Sequence, residues 1–407
     1  MIYKEEQRMK KIQHILLALT ILIPTLSNAQ SAPGATLYGP GVGLSIAAIT
    51  EEYQYPFATL QNLTPTAQSG VHLAVISIEY KTSDTAAAAI CIDKDNITID
   101  LNNQILWCNS AVTGTPYGIY IKAGVKNVTI KDGTIMGFKN YGIYVEGTLG
   151  NEVTNLKIEN VNVVSNTNGG VIGTYVHHAD LYNLNVRNTT ATTHVHGIYF
   201  GNSESVSIKD SSALRNITTI TNATSYGINL TSCTASSLTN CICNNNKGYL
   251  DAVGIYITEA GDDTFSNTIT NCTCNNNISS NADGMGIHLY QCDLVHVKDC
   301  TMTSNKADLA AKDSYGLRLE SANKTTVEGN TAIRNEFGFH DDEALGSQTN
   351  LYIQNTAYLN FDKTTPFTKQ NYVRTVSTPI DETEASADQL ASLASASNKS
   401  NISVVIE

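Results

Sequence analysis

The chain spells TNCICNNN at residues 239–246 and TNCTCNNN at residues 270–277, so one phrase returns 31 positions later. Both copies keep two cysteines two residues apart, followed by three asparagines. Side chains at positions i and i+2 of a β-strand point to the same side, so each pair would present two thiols on one face. Three interpretations are open: packing in a core, a disulfide between neighbouring segments, or a tetrahedral metal site. Which one applies depends on the surrounding repeat.

A glycine followed by an apolar residue recurs along the chain at intervals of 22 to 32 residues, a period typical of a solenoid. The copies are Gly118-Ile119, Gly142-Ile143, Gly170-Val171, Gly197-Ile198, Gly227-Ile228, Gly254-Ile255, Gly286-Ile287, Gly316-Leu317 and Gly338-Phe339. Each unit holds three short runs of alternating apolar residues, such as GIYI, NVTI and GTIM within residues 118–136. Three such runs without a helical pattern predict one coil of an all-β parallel β-helix. We expect about ten coils, which must stack because one coil cannot bury its own inner face.

Aligning the coils places the cysteines in columns of small or apolar residues. The first column reads Gly133, Val161, Thr189, Ser211, Cys241, Cys272, Cys300, Asn330, Asn355, and the second reads Ile135, Val163, Ala191, Ala213, Cys243, Cys274, Met302, Ala332, Ala357. Both cysteine pairs are therefore expected to point into the core, with a disulfide or a metal as the alternatives. A third column consists of Asn166, Asn216, Asn246, Asn277, Asn305, Asn335 and Asn360. Asparagine tolerates tight turns, so this column predicts side chains that hydrogen-bond between coils.

These coils, together with the asparagine column, resemble the right-handed parallel β-helix proteins of the pectin-lyase-like superfamily. The resemblance covers roughly residues 85–362. It implies the right-handed fold, but the superfamily contains polysaccharide lyases, glycoside hydrolases, uronate epimerases, pectin esterases and non-catalytic β-helices. The fold is therefore compatible with several functions.

The regions outside the repeat suggest an exported protein. Residues 1–29 read as a signal peptide, because two lysines precede a short apolar stretch that ends in Ser27-Asn28-Ala29. Residues 30–84 are expected to cap the solenoid, residues 85–362 to form it, and residues 363–407 to form an extension with an acidic Ser/Ala-rich, flexible tail. We expect a secreted or periplasmic protein with no integral membrane segment in its mature form. The formal net charge of −12 argues against a nucleic-acid partner.

A row of tyrosines is expected on the outer face. If the residue after each repeat glycine points inward, the next one points outward, which places Tyr120, Tyr144, Tyr199 and Tyr256 in one column. Aromatic rings in a row suit sugar rings, so we assign these four residues to substrate binding. The alternative is that tyrosine stands there because it favours half-buried strands.

A group of titratable residues continues this face toward the C-terminus. His288, Arg318 and His340 extend the tyrosine column, and Tyr290, Glu320 and Asp342 follow two residues later on the same coils. Adjacent coils lie about 4.8 Å apart, so these six side chains are within mutual reach. They are our candidate catalytic residues, in which Arg318 would bind a sugar carboxylate, His288 or His340 would act as base, and Tyr290 as acid. The alternative is a solvated face of ordinary cross-strand ion pairs.

Connections of unequal length are expected to border this face. Four long ones, from Asn216 to Gly227, Asn246 to Gly254, Asn277 to Gly286 and Asn305 to Gly316, contrast with the short one from Asn335 to Gly338. All occur at the same turn of the coil, so together they predict a wall beside the outer columns.

The reaction stays open on the sequence alone. The complete catalytic motifs of polygalacturonases are missing, and we assign no metal site, although Glu259, Asp262 and Asp263 offer a possible calcium site. We therefore expect an exported protein that interacts with a polysaccharide or glycan surface along a lateral groove. It is either a lyase or epimerase, or a non-catalytic surface, adhesion or structural protein.

Overall fold

The computed structural model describes residues 77–81, 87–191, 193–258, 266–342 and 350–360 in full, and the backbone of residues 46–48, 70–74 and 372–375. Its strands are β1 (Ile46–Ala48), β2 (Gly70–Ala74), β3 (Ile78–Tyr80), β4 (Ala88–Ile92), β5 (Ile97–Asp100), β6 (Ile105–Cys108), β7 (Tyr117–Ile121), β8 (Lys126–Met136), β9 (Tyr141–Glu146), β10 (Val153–Val164), β11 (Gly169–Thr174), β12 (Val176–Tyr182), β13 (Asn185–Arg187), β14 (Val195–Gly201), β15 (Glu204–Lys209), β16 (Ser212–Leu214), β17 (Ser225–Thr231), β18 (Ser237–Thr239), β19 (Lys247–Gly248), β20 (Ala252–Thr258), β21 (Asn267–Thr270), β22 (Ile278–Ser279), β23 (Gly284–Tyr290), β24 (Val295–Lys298), β25 (Thr301–Thr303), β26 (Lys306–Ala307), β27 (Ser314–Glu320), β28 (Thr326–Glu328), β29 (Thr331–Ile333), β30 (Phe337–Asp342), β31 (Leu351–Ile353), β32 (Thr356–Tyr358) and β33 (Tyr372–Thr375).

Four sheets run along the axis of the solenoid. One has 16 strands and contains the path β1-β2-β5-β8-β10-β12-β15-β18-β21-β24-β28-β31. A second has 11 strands in the order β33-β30-β27-β23-β20-β17-β14-β11-β9-β7-β4, and two three-stranded sheets are formed by β19-β22-β26 and β25-β29-β32. The strand pairs from one coil to the next are parallel, while β1 and β2 pair antiparallel. The predicted all-β parallel β-helix is confirmed, with about nine turns, close to the ten coils expected.

The cysteines of the opening phrase lie in the core. Cys241, Cys243, Cys272, Cys274 and Cys300 are at most 1% exposed, and each is a free thiol. Their neighbours in the same columns, such as Ala213 and Met302, are equally buried. Within the fully described ranges, no three His, Cys, Asp or Glu side chains are arranged to hold a metal ion. The burial of these thiols among apolar neighbours agrees with the packing interpretation.

The asparagine column forms a hydrogen-bonded stack inside a turn. The Nδ2 group of Asn216 donates to Asn246 Oδ1 at 2.9 Å, and Asn246 donates in the same way to Asn277 at 3.0 Å. The pattern continues through Asn305 and Asn335 at 3.0 Å per step. These side chains are at most 4% exposed, so the stack provides acceptors for side-chain N–H groups that have no access to water.

The repeat glycines pack directly against this stack. A Cβ atom built on Gly254 would lie 2.6 Å from the carbonyl oxygen of Gly286 and 2.9 Å from Asn277 Nδ2, so no side chain fits there. The direction of the residues on either side of the glycine then follows from its position. In β7, Gly118 and Ile119 are buried, whereas Tyr117 and Tyr120 are partly exposed. Two columns near each glycine therefore lie outside the main core, although Val253, Met285 and Tyr315 of the first column are buried in a second apolar cluster.

The ends of the solenoid are described in part. Strands β2 and β3, which fall in the range assigned to the cap, pair in parallel with β5 and β6. Strand β33, in the range assigned to the C-terminal extension, pairs in parallel with β30. The predicted signal peptide and acidic tail lie outside the described residues. Where the chain is described, no helix has the length and apolar character that crossing a membrane requires.

Candidate functional site

The predicted outer column exists in the 11-stranded sheet. Strand pairing aligns, coil by coil, Tyr120, Tyr144, Ile172, Tyr199, Asn229, Tyr256, His288, Arg318 and His340. A parallel column two residues further on contains Tyr290, Glu320 and Asp342. The structure therefore brings all six candidate catalytic residues together, whereas the four assigned tyrosines are interrupted by Ile172 and Asn229. We call the outward side of the 11-stranded sheet the lateral face.

Four tyrosines stack at the N-terminal end of the lateral face. The rings of Tyr120 and Tyr144 lie 5.6 Å apart with 12° between their planes, and Tyr117 stacks on Tyr144 at 4.9 Å. Tyr141 contacts the same group, and the Tyr120 hydroxyl hydrogen-bonds to Glu146. Because the rings cover one another's faces, their edges and hydroxyl groups are what a ligand would meet. Burial raises the pKa of Tyr144 to about 12, so this hydroxyl is a neutral donor.

A second aromatic series runs through the middle coils. It consists of Tyr199, His196, Tyr226, Tyr256, His288 and Tyr290, whose successive ring centroids are 5.0 to 6.0 Å apart. The His196 and Tyr226 rings are stacked and nearly parallel, with 4° between their planes. Asn229 Nδ2 approaches His196 Nδ1 at 3.4 Å, and burial lowers the pKa of His196 to about 3, so this ring is neutral.

The sequence interpretation missed four of these ten rings, as well as the ring of Tyr315. Tyr117, Tyr141, His196, Tyr226 and Tyr315 each stand immediately before a repeat glycine, and none was assigned to the site. The signal was available in the repeat, because the same position is aromatic in several coils. In a strand with strict alternation, the residue before the glycine and the second residue after it point to opposite sides. Because the second residue after the glycine was placed outside, the residue before the glycine was expected inside. The packed glycine changes that alternation.

Arg318 is the centre of an ionic cluster at the C-terminal end of the lateral face. Its Nη1 lies 3.1 Å from Asp283 Oδ2, and its Nη2 lies 3.2 Å from both Glu320 Oε2 and Asp342 Oδ2. Nε donates to Asp342 at 3.2 Å, and the guanidinium carbon is 5.1 Å from the Tyr315 ring centroid. The arginine side chain is 19% exposed, so three carboxylates and one ring enclose it. We call Asp283, His288, Arg318, Glu320, His340 and Asp342 the ionic cluster.

Each histidine of the ionic cluster is paired with a carboxylate. His288 Nε2 lies 3.1 Å from Glu320 Oε2, and this hydrogen bond lowers the pKa of Glu320. His340 Nδ1 lies 3.5 Å from Asp342 Oδ2 without a hydrogen-bonding geometry. Burial lowers the pKa of His340, although Asp342 acts in the opposite direction, so the imidazole is neutral near pH 7. Both imidazoles are about nine-tenths buried, whereas Glu320 and Asp342 are 31% and 28% exposed and are more accessible to a ligand.

Aspartates from the long connections complete the cluster. The Asp283 N–H donates to Asp251 Oδ1 at 3.1 Å, and the Asp313 N–H donates to Asp283 Oδ1 at 3.1 Å. Asp313 also accepts the Tyr315 hydroxyl at 3.1 Å, and burial raises the pKa of Asp251. These aspartates were not assigned from the sequence, although each precedes its repeat glycine by three residues.

The predicted wall is formed by the same connections. Short strands β19, β22 and β26 lie within them and pair in parallel, through Lys247 with Ile278 and Ile278 with Lys306. The long connections therefore continue the stacking of the coils and end at the aspartates beside Arg318. The calcium candidates Glu259, Asp262 and Asp263 lie outside the described residues.

A comparison with known protein families agrees with the architecture. A family model described as a right handed beta helix region matches residues 169–358. Among the curated proteins, none matches this chain. Among solved structures, the periplasmic alginate epimerase AlgG is similar at 15% sequence identity. The match covers 77% of this chain and 79% of that chain, with a TM-score of 0.48. The A-module of the Azotobacter vinelandii mannuronan C-5 epimerase AlgE4 is similar at 15% identity, covering 76% of this chain and 91% of that chain with a TM-score of 0.43. The Dettilon tailspike protein is similar at 10% identity, covering 70% and 61% with a TM-score of 0.31.

Proposed function

We propose that this chain, a right-handed parallel β-helix protein with the pectin-lyase-like fold, binds a polysaccharide lengthwise along the lateral face. The observation that carries the proposal is the aromatic series from Tyr199 to Tyr290, which leads directly into the ionic cluster. From β7 to β30 the face spans eight coil steps, or about 38 Å at the usual strand spacing. That length suits an extended chain of several sugars.

The chemistry of the lateral face matches that of a sugar. Tyrosine rings offer apolar contact area to the C–H groups of a sugar, and their hydroxyls offer hydrogen bonds at the same place. The partly exposed carboxylates of Glu320 and Asp342 add acceptors for sugar hydroxyls at the same face. The wall formed by β19, β22 and β26 borders this surface, so the ligand would lie in a groove.

A second candidate is a lyase or epimerase reaction at the ionic cluster. Two imidazole–carboxylate pairs flank one guanidinium, and the neutral His340 is in the protonation state that a base requires. In this proposal His288 or His340 takes a proton, Tyr290 returns one, and Arg318 binds the sugar carboxylate. That last role requires the substrate to displace a carboxylate from Arg318, which holds three.

The test is proton NMR of the purified protein with a panel of neutral and acidic polysaccharides, with and without calcium. Line broadening without new signals indicates binding alone, whereas unsaturated, reducing-end or epimerised signals identify a reaction. Replacing Tyr144, Tyr199 and Tyr256 by alanine should weaken binding at least tenfold. Tyr182→Ala is the matched control, because Tyr182 is 44% exposed on a strand of the 16-stranded sheet.

Histidine variants distinguish the two candidate functions, binding alone and catalysis. If the cluster is catalytic, replacing His288 and His340 by alanine should abolish turnover and leave glycan binding within about twofold. Turnover that survives both changes contradicts the catalytic assignment. The absence of binding to every glycan in the panel, in a folded protein, contradicts the proposed function itself.

A further inference from the structure

The charge on the lateral face bears on the kind of glycan that fits. Recognition of an acidic sugar needs a cation with free N–H groups, since a carboxylate binds strongly to guanidinium in a bidentate manner. Each nitrogen of the Arg318 guanidinium already contacts a carboxylate: Nε that of Asp342, Nη1 that of Asp283 and Nη2 that of Glu320. A sugar carboxylate that approaches in a bidentate manner therefore has to displace one of them. Its side chain also lies over the Tyr315 ring.

Carboxylates outnumber cations around it. Four columns of the lateral face can be defined by their distance from each repeat glycine: three residues before it, one before it, two after it and four after it. Between residues 251 and 342 these columns contain five carboxylates. They are Asp251, Asp283, Asp313, Glu320 and Asp342. The same columns contain one lysine or arginine, Arg318. On the adjacent wall, Lys306 is paired with Asp308 at 2.7 Å.

This excess has a physical consequence for an incoming polymer. The potential of a cleft lined by one sign of charge repels ligands of that sign, over a distance of about 8 Å at physiological ionic strength. A polyuronate carries one negative charge on each sugar and would approach several uncompensated carboxylates. A neutral glycan meets no such repulsion, and its hydroxyls can donate to the partly exposed oxygens of Glu320 and Asp342.

We propose that the ligand of the lateral face is an uncharged glycan, and that the carboxylates around Arg318 exclude polyuronates. This inference rests on the proposed polysaccharide binding and names its substrate class. It speaks against the second candidate function, in which Arg318 binds a sugar carboxylate. Arg318 is then a positioning residue, which holds Glu320 and Asp342 side by side. Both oxygens lie 3.2 Å from one Nη2 atom, so they can be no farther apart than twice that distance.

The experiment compares glycans that differ in charge alone. A polyuronate and its carboxyl-reduced counterpart share linkage and length, and a panel of uncharged hexose polymers covers other backbones. Binding is measured by isothermal titration calorimetry at low and high salt, about 0.02 and 0.5 M. We expect at least one uncharged glycan to bind at least tenfold more tightly than any polyuronate at low salt. High salt should narrow the difference, because it screens the repulsion.

A charge-removing variant tests the role of the cluster. Asp283→Asn removes one negative charge from beside Arg318 Nη1 and should make polyuronate binding at least tenfold tighter than in the wild type. Asp180→Asn is the matched control, because it removes the same charge from an exposed position on β12 of the 16-stranded sheet, and it should have no such effect.

The outcomes distinguish this inference from the function on which it rests. Polyuronate binding by the wild type that equals or exceeds binding of the uncharged glycans overturns the inference and leaves polysaccharide binding intact. An equal gain in polyuronate affinity in Asp180→Asn also overturns the inference, because the loss of any negative charge on the protein would then strengthen binding. If no glycan of either kind binds, the proposed function and the inference fail together.

Discussion

Replacing Gly254 by alanine tests how the glycine column supports the lateral face. The new Cβ would lie 2.6 Å from the Gly286 carbonyl oxygen and 2.9 Å from both Asn277 Nδ2 and Cys274 Cβ. Ordinary contact begins at 3.4 Å, so the Gly286 carbonyl has to move by about 0.8 Å. None of the three atoms belongs to the free end of a flexible side chain, so β20 and β23 must separate.

The cost follows from this geometry. Overpacking typically costs about 1–3 kcal/mol, and we expect the upper end, about 3 kcal/mol, because a backbone atom is among the three contacts. For the roughly 280 residues that the structure describes, the entropy of unfolding is about 0.6 kcal/mol/K, so Tm should fall by about 5 °C. Tyr256 stands two residues after Gly254, so the shift should also disturb its contact with His288, now 5.1 Å between ring centroids.

The assay is thermal unfolding followed by circular dichroism and calorimetry. Gly114→Ala is the control, because nothing lies within 4 Å of a Cβ at that position. Its Tm should stay within about 1 °C of the wild type. The packing argument is refuted if Gly254→Ala melts within that range as well, or if both variants lose the same stability.

Three further predictions concern the stack, the cluster and the thiols. Asn277→Ala removes the bonds to Cys243 O and Asn305 Oδ1 and should destabilise the protein by about 3 kcal/mol in urea unfolding; a loss below about 1 kcal/mol contradicts this. The pKa of His340 is lowered on folding, so its stabilising contribution is complete above about pH 6.5 and is lost as the pH falls through the folded value. Tm should therefore fall more between pH 7 and pH 5 in the wild type than in His340→Gln, and equal falls refute the assignment. Ellman's reagent should titrate at most Cys91 in the native protein and all nine cysteines after unfolding without reductant, whereas fewer than nine would reveal a disulfide.

The repeat register predicted a large part of the candidate site. Strands of neighbouring coils align residue with residue, so one glycine-anchored alignment places His288, Arg318 and His340 in the same column. The same alignment places the cysteines of the opening phrase in the core. The residue before each glycine was missed, because simple alternation assigns Tyr117 and Tyr226 to the inside, whereas the packed glycine leaves them outside.

The alignment of the coils could not identify all the carboxylates that pair with Arg318. Asp283 ends a connection of variable length, and such connections have no register until β22 and β26 stack beside it. The sequence placed Tyr120 and Tyr144 in one column but did not show that their rings stack on each other. Ring orientation depends on which side chains surround it, and a column of residue names does not contain that information.

The sequence by itself determined the parallel β-helix, its buried columns and the outward position of the candidate residues, because a repeat of alternating residues forces each coil to stack on the next. Only the tertiary structure decided that Arg318 is enclosed by Asp283, Glu320 and Asp342, residues that are 35 positions before it and 2 and 24 positions after it. The physical reason is that the pairing of charges depends on distances of 3 to 4 Å between side-chain tips, which the spacing of residues along the chain does not specify.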